Sequence, residues 1–452
     1  MEIRLSDHFT YRKLLRFTLP SIVMMIFTSI YSVVDGFFVS NFAGKTPFAA
    51  VNFIMPFLMI LGAVGFMLGA GGSALIAKTL GEGDRDKANR LFSMVVYLTL
   101  IAGVVIGVAG ILFIRPIAVW LGAEEDSAFL ENCVLYGRVI LAALPFFMLQ
   151  MEFQTFFITA EKPKLGLIVT VASGLTNILL DALLVAVIPG VLGWNDEARL
   201  FGAALATALS QTIGGIIPLF YFFRHNNSLL RLTKTTLDGR ALLKICTNGS
   251  SELMSNVSMS LVGMLYNVQL MKYAGEDGVA AYGVLMYVSM IFMAAFIGYS
   301  IGTAPVVGYH YGAQNHGELR GLLKKSLVLV GSFSVGMLIL GEALAYPLSK
   351  IFVGYDQALL ELTLRGFWIY SFSFLFSGIA IYGSGFFTAL NNGLVSALIS
   401  FLRTLVFQIA AVLLLPLAFG MDGIWYSIVV AEVMAAAVTA LFLLGMRKKY
   451  RY

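Results

Sequence analysis

The chain has 452 residues, 59% hydrophobic and only 12% charged, with a mean hydropathy of +0.86. Such values exclude a soluble globular domain and indicate a polytopic membrane protein. The net charge of +5 lies beside the ends of apolar stretches, not in one patch, which argues against a nucleic-acid partner, and the two cysteines, Cys133 and Cys246, suggest neither a disulfide framework nor a zinc site.

Crossing a bilayer core of about 30 Å takes about 20 apolar helical residues. Twelve stretches reach that length, at about 14–39, 47–77, 92–114, 129–158, 165–187, 201–223, 241–273, 279–309, 323–347, 359–389, 394–417 and 422–446. The amino terminus keeps its charge as far as Arg16 and then enters an apolar run too long for a signal-peptide core and without a small-residue cleavage site, so a retained first helix is expected. Both termini and the connections on their side carry 22 of the 30 Lys and Arg, the opposite side carries six, and Arg138 and Arg403 lie within spans. Cytoplasmic loops retain positive charge, so both termini are expected in the cytoplasm.

The two halves repeat. One constant offset lays KTLGEGDRDKANRL from Lys78 over YHYGAQNHGELRGL from Tyr309, so that Gly81 meets Gly312. Similar offsets pair FFITAEKPKL from Phe156 with FFTALNNGLV from Phe386, and Gly202 and Gln211 with Gly423 and Glu432. Six spans per half is an even number, so both halves enter the membrane in the same direction and are related by an axis along its normal. The expected fold is all-α: twelve transmembrane helices in two pseudo-twofold-related six-helix lobes around a central cavity. The expected units are an amino lobe over 1–223, a polar cytoplasmic linker over 224–244 and a carboxyl lobe over 245–452.

Several polar residues lie within these spans. Pro20, early in the first, removes a backbone hydrogen bond and makes a bend expected there, either static or responsive to what happens further along the helix. Counting about 1.5 Å per residue puts Asp35 about 28 Å beyond Arg16, Asn177 and Asp181 about 20 and 26 Å along the fifth span, and Thr207 about 9 Å below the far surface in the sixth. Asn177 and Asp181, four residues apart, share a helix face. All four converge in the outer half of the amino lobe, where they are either solvated at the membrane interface or form one site. Carboxylates in low dielectric are costly and mark ion or proton pathways. Two of them close together repel, which suits a proton carrier, and carboxylate, amide and hydroxyl oxygens equally suit a hard cation such as sodium. A second set, Glu252, Arg403 and Glu432, lies nearer mid-depth in the carboxyl lobe, where Arg403 needs an acidic partner and the remaining carboxylate is free to line a cavity. Glu152 and Glu342 fall closer to span ends, where interfacial solvation is expected.

Enzyme chemistry has no foothold. The four histidines, His8, His225, His310 and His316, lack partners at metal or triad spacing, and the GEGDRDK turn at Gly81 lacks a phosphate-loop ending. The 36 Phe, 19 Tyr and 20 Met mostly face lipid or neighbouring helices, and a minority lining a cavity would suit flat lipophilic cations.

The segments SIYSVVDGFFVSNFAG around Asp35, TNILLDALLV around Asn177 and Asp181 and GAALATALSQ around Thr207, with two six-helix halves, resemble the multidrug and toxin extrusion (MATE) family, in its DinF-like and MepA-like bacterial branch. The resemblance covers essentially the whole chain. It implies a monomeric antiporter of the bacterial inner membrane, without cofactor, exporting small lipophilic cations in exchange for protons or sodium. By the same resemblance Asp35, Asn177, Asp181 and Thr207 match the amino-lobe cation site, Pro20 the bending point of the first helix, and Glu252 an acidic residue that some members use for coupling. ICTNGSSELMSN around Glu252 departs from the proline-containing form of that segment. A lipid-linked oligosaccharide flippase of the same superfamily would want a cavity rich in Arg and Lys, and an intramembrane enzyme would want a nucleophile with a base or metal ligands.

Overall fold

A computed structural model describes residues 3–452, and every regular element among them is helical. Nine helices are each long and apolar enough to cross a membrane, and two further helix pairs, bent by 57° and 45°, make one span apiece. One of the nine, Gly239–Gly312, is interrupted at Gly275 (φ 63°, ψ −149°), a conformation that glycine adopts without a steric penalty, and so supplies two crossings. Twelve spans result among the described residues. The first six are Tyr11–Ala43, Lys45–Gly81, Arg85–Trp120, Ala128–Ala142 with Leu144–Thr159, Pro163–Leu192 and Asp196–Phe223. The seventh and eighth are the two parts of Gly239–Gly312, followed by His316–Val353, Gln357–Ser371 with Ser373–Ala389, Gly393–Phe419 and Met421–Tyr450.

Helix starts follow local chemistry. Thr10, Asp84, Ser127, Asn195, Asp238, Asn315, Asp356 and Asn392 each accept a first-turn backbone N–H, satisfying a donor that the helix itself leaves free. The bends in the fourth and tenth spans are not anticipated from the sequence. They fall at Ala143 and Phe372, in the same register that pairs Thr159 with Thr388, so the repeat extends to the break itself. Pro145 withholds an N–H at the first bend, and at the second the Ser371 hydroxyl donates back to the Phe367 carbonyl at 2.8 Å, a contact that bends helices.

The lobes are knitted together at the end that holds the termini, and glycine makes the approach possible. A Cβ on Gly71 would stand 1.9 Å from the Ile245 carbonyl oxygen, and one on Gly249 1.9 Å from that of Met67. Further along, Gly81 faces the Tyr309 carbonyl and Gly312 the Lys78 carbonyl, each at 2.0 Å by the same measure. These last two contacts exchange under the offset that lays Lys78 over Tyr309. The eighth span also packs on the first just past Pro20, where a Cβ on Gly298 would lie 2.6 Å from the Ile22 Cα. Near the opposite end, Gly36 and Gly263 have no atom within 4 Å of the Cβ position.

The residues before the first span cross this seam. Leu5 and Phe9 are fully buried; the Leu5 N–H donates to Glu161 Oε1 at 2.6 Å, and the Phe9 N–H to Glu318 Oε1 at 2.8 Å. The connection after Phe223 lies along the start of the third span, where Asn89 and Ser93 side chains accept the Arg231 and Thr233 N–H groups at 2.9 and 2.7 Å. Helix resumes at Gly239.

Candidate functional site in the amino lobe

Three spans of the amino lobe bring Asp35, Asn177, Asp181 and Thr207 to one place. The Thr207 hydroxyl lies 3.5 Å from Asp35 Oδ1 and 3.1 Å from its own-helix Ala203 carbonyl, so its single proton is shared between two acceptors. Asn177 Nδ2 donates to Thr207 Oγ1 at 3.5 Å. Contacts of 3.5 Å sit at the outer limit of hydrogen bonding, so this ring of polar groups is loose. Asp181, one turn beyond Asn177, is 0% exposed and faces the Asp35 carboxyl within hydrogen-bonding reach if one of the two carries a proton, and no N–H or hydroxyl donor among the described residues reaches either of its oxygens. Asp35 itself is only partly buried. One carboxyl is therefore reachable while its neighbour is sealed in.

Both acidic spans change winding beside the site. The first passes into a π-helical segment, Val39–Ala43, shortly after Asp35, and the fifth does so at Ala182–Val187, directly after Asp181. A π turn displaces backbone carbonyls from the regular ladder, and such turns recur at functional sites. Arg199, at the start of the sixth span, takes up two of these carbonyls: its Nη1 donates to Phe42 and Val185, each at 3.2 Å. One guanidinium thus ties the first and fifth spans together above the acidic pair.

Two tyrosines complete the cluster. Tyr136, 1% exposed on the fourth span, lies near both carboxyls with its hydroxyl beside Thr207, and Tyr31 stands one turn before Asp35. Sequence reasoning does not single out Tyr31, Tyr136 or Arg199. Only Tyr31 leaves a signal there, its spacing of four from Asp35 on one helix face.

Pro20 is distant in sequence from this cluster and lies inside an unbroken helix, buried at the seam with the eighth span. The carboxyl-lobe set is separate again. Arg403 grips Glu432 through two atoms, Nε to Oε2 and Nη2 to Oε1, both at 2.9 Å, so its partner is Glu432 and not Glu252. Around the pair is a cavity of about 240 Å³ lined by Glu252, Tyr266, Tyr282, Tyr370, Met259 and Gln408, among others. The Tyr266 and Tyr282 rings stack at 5.4 Å, and Tyr266 donates its hydroxyl proton to Gln408 at 2.7 Å. The Glu252 side chain makes no hydrogen bond or ion pair among the described residues.

Glu152 corrects an expectation. It is 0% exposed, with both oxygens unpartnered beside Thr99, and is not solvated at an interface. The second span packs closely on the fourth here: a Cβ on Gly69 would lie 2.8 Å from the Glu152 Cα.

Among the described residues no group of three or more His, Cys, Asp and Glu could hold a metal ion. A two-lobed bundle that spans the membrane twelve times, with uncompensated carboxyls inside one lobe, has the build of a membrane transporter. The sequence model of the MatE family matches residues 20–183 and 253–414, one stretch in each lobe, and the chain belongs to that family. It is a transporter and not an enzyme. The multidrug export protein MepA of Staphylococcus aureus (strain MRSA252) is 22% identical over 440 residues, covering 97% of this chain and 94% of MepA. Among solved structures, "MATE in complex with MaL6" superposes with a TM-score of 0.90 at 21% identity, covering 98% of each chain. An "outward-facing conformation of a multidrug resistance MATE family transporter of the MOP superfamily" gives 0.90 at 22% identity, covering 98% of this chain and 97% of the other. These likenesses establish the fold.

Proposed function

We propose that the chain exports lipophilic organic cations and drugs in exchange for a coupling ion, a proton or sodium, taken up at Asp35 and Asp181. One observation carries the reading: two carboxyls from different spans face each other, and no other donor or counter-charge among the described residues reaches the buried one. A carboxylate buried among hydrocarbon costs several kcal/mol unless a proton or cation accompanies it. A shared proton meets that need. So does sodium, because two oxygens holding one cation at about 2.4 Å stand about 3.4 Å apart when they subtend a right angle. The 3.5 Å spacing of Thr207 Oγ1 and Asp35 Oδ1 suits such sharing.

Transport then proceeds by alternating access between the lobes. Closure at the termini end, through the glycine contacts, belongs to one state, and opening there requires the first span to part from the eighth beside Pro20, the helix-bend candidate. In this reading the carboxyl lobe supplies cavity wall, with Glu252 as a secondary coupling or cation-contact group and Arg403–Glu432 as a fixed pair. The chain works as a monomer in the bacterial inner membrane with both termini cytoplasmic, in keeping with the charge bias of its loops. The name of its MepA relative, a multidrug export protein, supports the substrate class. A flippase for pyrophosphate-linked sugars is disfavoured, since Arg138 and Arg403 alone are basic away from the ends of the expected spans and Arg403 is engaged by Glu432.

The test is drug efflux from proteoliposomes under an imposed proton gradient and, separately, a sodium gradient. One gradient is expected to drive efflux in the parent chain and neither in Asp35→Asn. Undiminished ion-driven efflux by Asp35→Asn overturns the assignment.

A further inference from the structure

Two crevices flank the start of the fifth span at the end of the molecule that holds the termini, and neither belongs to the acidic cluster or the carboxyl-lobe cavity. The first, about 870 Å³, has Arg224, His225, Lys162 and Asn227 at its rim and Ile217 and Phe220 along its wall. The second, about 420 Å³, lies between the first and fifth spans, rimmed by Arg16, Lys162 and Lys164 and walled by Pro20 and Ile168. Among the described residues its one acid is Glu161, whose carboxyl already accepts the Leu5 N–H, and burial pushes that carboxyl above the usual range.

Two features give these crevices a common character. The side chains of Arg16, Lys164, Arg224 and His225 make no hydrogen bond or ion pair among the described residues. The walls below them are exposed hydrocarbon, with Ile217 at 45%, Phe220 at 59% and Ile168 at 62% exposure on lipid-facing helix surfaces. Arg16, Lys164 and Arg224, with the His225 ring as a further polar contact, stand at a membrane boundary above an apolar wall and so complement a molecule with an anionic head and hydrocarbon tails.

We propose that these crevices bind anionic phospholipid, with the phosphate on Arg224 and His225 in one and on Arg16 and Lys164 in the other, and the acyl chains along Ile217, Phe220 and Ile168. The second crevice gives the lipid a hold on the first span. Pro20 has no N–H, so the Arg16 carbonyl one turn earlier lacks its helical partner, and the lipid sits on the turn that gives way most easily. Anionic lipid in the leaflet facing the termini thereby stabilises one bend of the first helix.

The experiment is native mass spectrometry of the full-length protein taken from bilayers of equal phosphatidylglycerol and phosphatidylcholine. The parent chain is expected to retain phosphatidylglycerol preferentially, and Arg224→Gln and Arg16→Gln each to cut that preference about fivefold, as the loss of one lipid-facing cation implies. Lys448→Gln, in the basic run at the carboxyl end, controls for general charge and should leave retention unchanged, while Phe220→Ser should weaken it. Equal retention of the two lipids overturns the proposal, as does an equal fall in the Lys448→Gln control. Displacement of the lipid by free inorganic phosphate, with no effect of Phe220→Ser, reduces the crevices to simple anion sites and overturns the lipid assignment.

Discussion

The two lobes share a helix plan and differ in how they accommodate buried acid. Asp181 in the amino lobe is sealed from solvent opposite Asp35, with no counter-charge among the described residues and no donor other than the facing carboxyl. Glu432 in the carboxyl lobe, 3% exposed, is held at two points by Arg403. At the repeat position of Asp35 stands Tyr266, which is satisfied by Gln408. A satisfied pair is a structural element that needs nothing from outside, whereas two facing carboxyls without a counter-charge need a proton or a cation between them. One scaffold thus holds a fixed ion pair in one half and two facing carboxyls in the other, and the difference rests on a few side chains.

Four substitutions break or sharpen that contrast. The largest effect is expected from Asp181→Asn, which should abolish ion-driven efflux in proteoliposomes while protein level and thermal unfolding hold; retained coupling would show that Asp35 suffices alone. Next comes Arg403→Met, which strands Glu432 and should lower stability by about 3–5 kcal/mol, most of it recovered when Glu432→Leu is added. Thermal unfolding of the single and double variants reads this, and equal loss in both would mean that the pair does not act as a unit. Arg199→Ala should cost about 1–3 kcal/mol, because two carbonyls released by the π turns lose their donor. Arg199→Lys, with one point charge, should recover only part of that, and no change in either variant removes the brace from the argument. The smallest effect is expected at Glu152→Gln, within about 1 kcal/mol of the parent, since a buried carboxyl without a counter-charge gains little from its acidity. Complete loss of efflux in that variant would instead make Glu152 a second working acid.

Much of this is legible in the sequence. Span number follows from hydropathy and length, and the convergence of Asp35, Asn177, Asp181 and Thr207 follows from the regular helical rise and the direction of each span. Other features have no readable signal. Nothing in sequence separates Tyr136 from the other 18 tyrosines, because its place depends on how the fourth span rotates after its neighbours pack. Arg199 reads as one of six cations on the far side, and its partners exist only because two helices rewind into π turns that hydropathy does not register. Glu152 is misjudged because distance to a span end measures depth but not cover, and cover depends on how closely neighbouring helices pack, as at Gly69 against the Glu152 backbone. Pro145 offers a clue to the bend in the fourth span, while its counterpart at Phe372, with serine chemistry and no proline, is harder to see.

The glycine contacts at the termini end have an architectural consequence. Gly81 reaches the Tyr309 carbonyl, and Gly312, its repeat equivalent, reaches that of Lys78, the repeat equivalent of Tyr309. Residue i touching j while j's counterpart touches i's is the signature of an isologous contact between two copies of the same subunit. The chain is in this sense a covalently joined dimer with the joint at 224–238, and joining removed the obligation to symmetry: each half of such a dimer could lose its acids, or keep them, independently of the other.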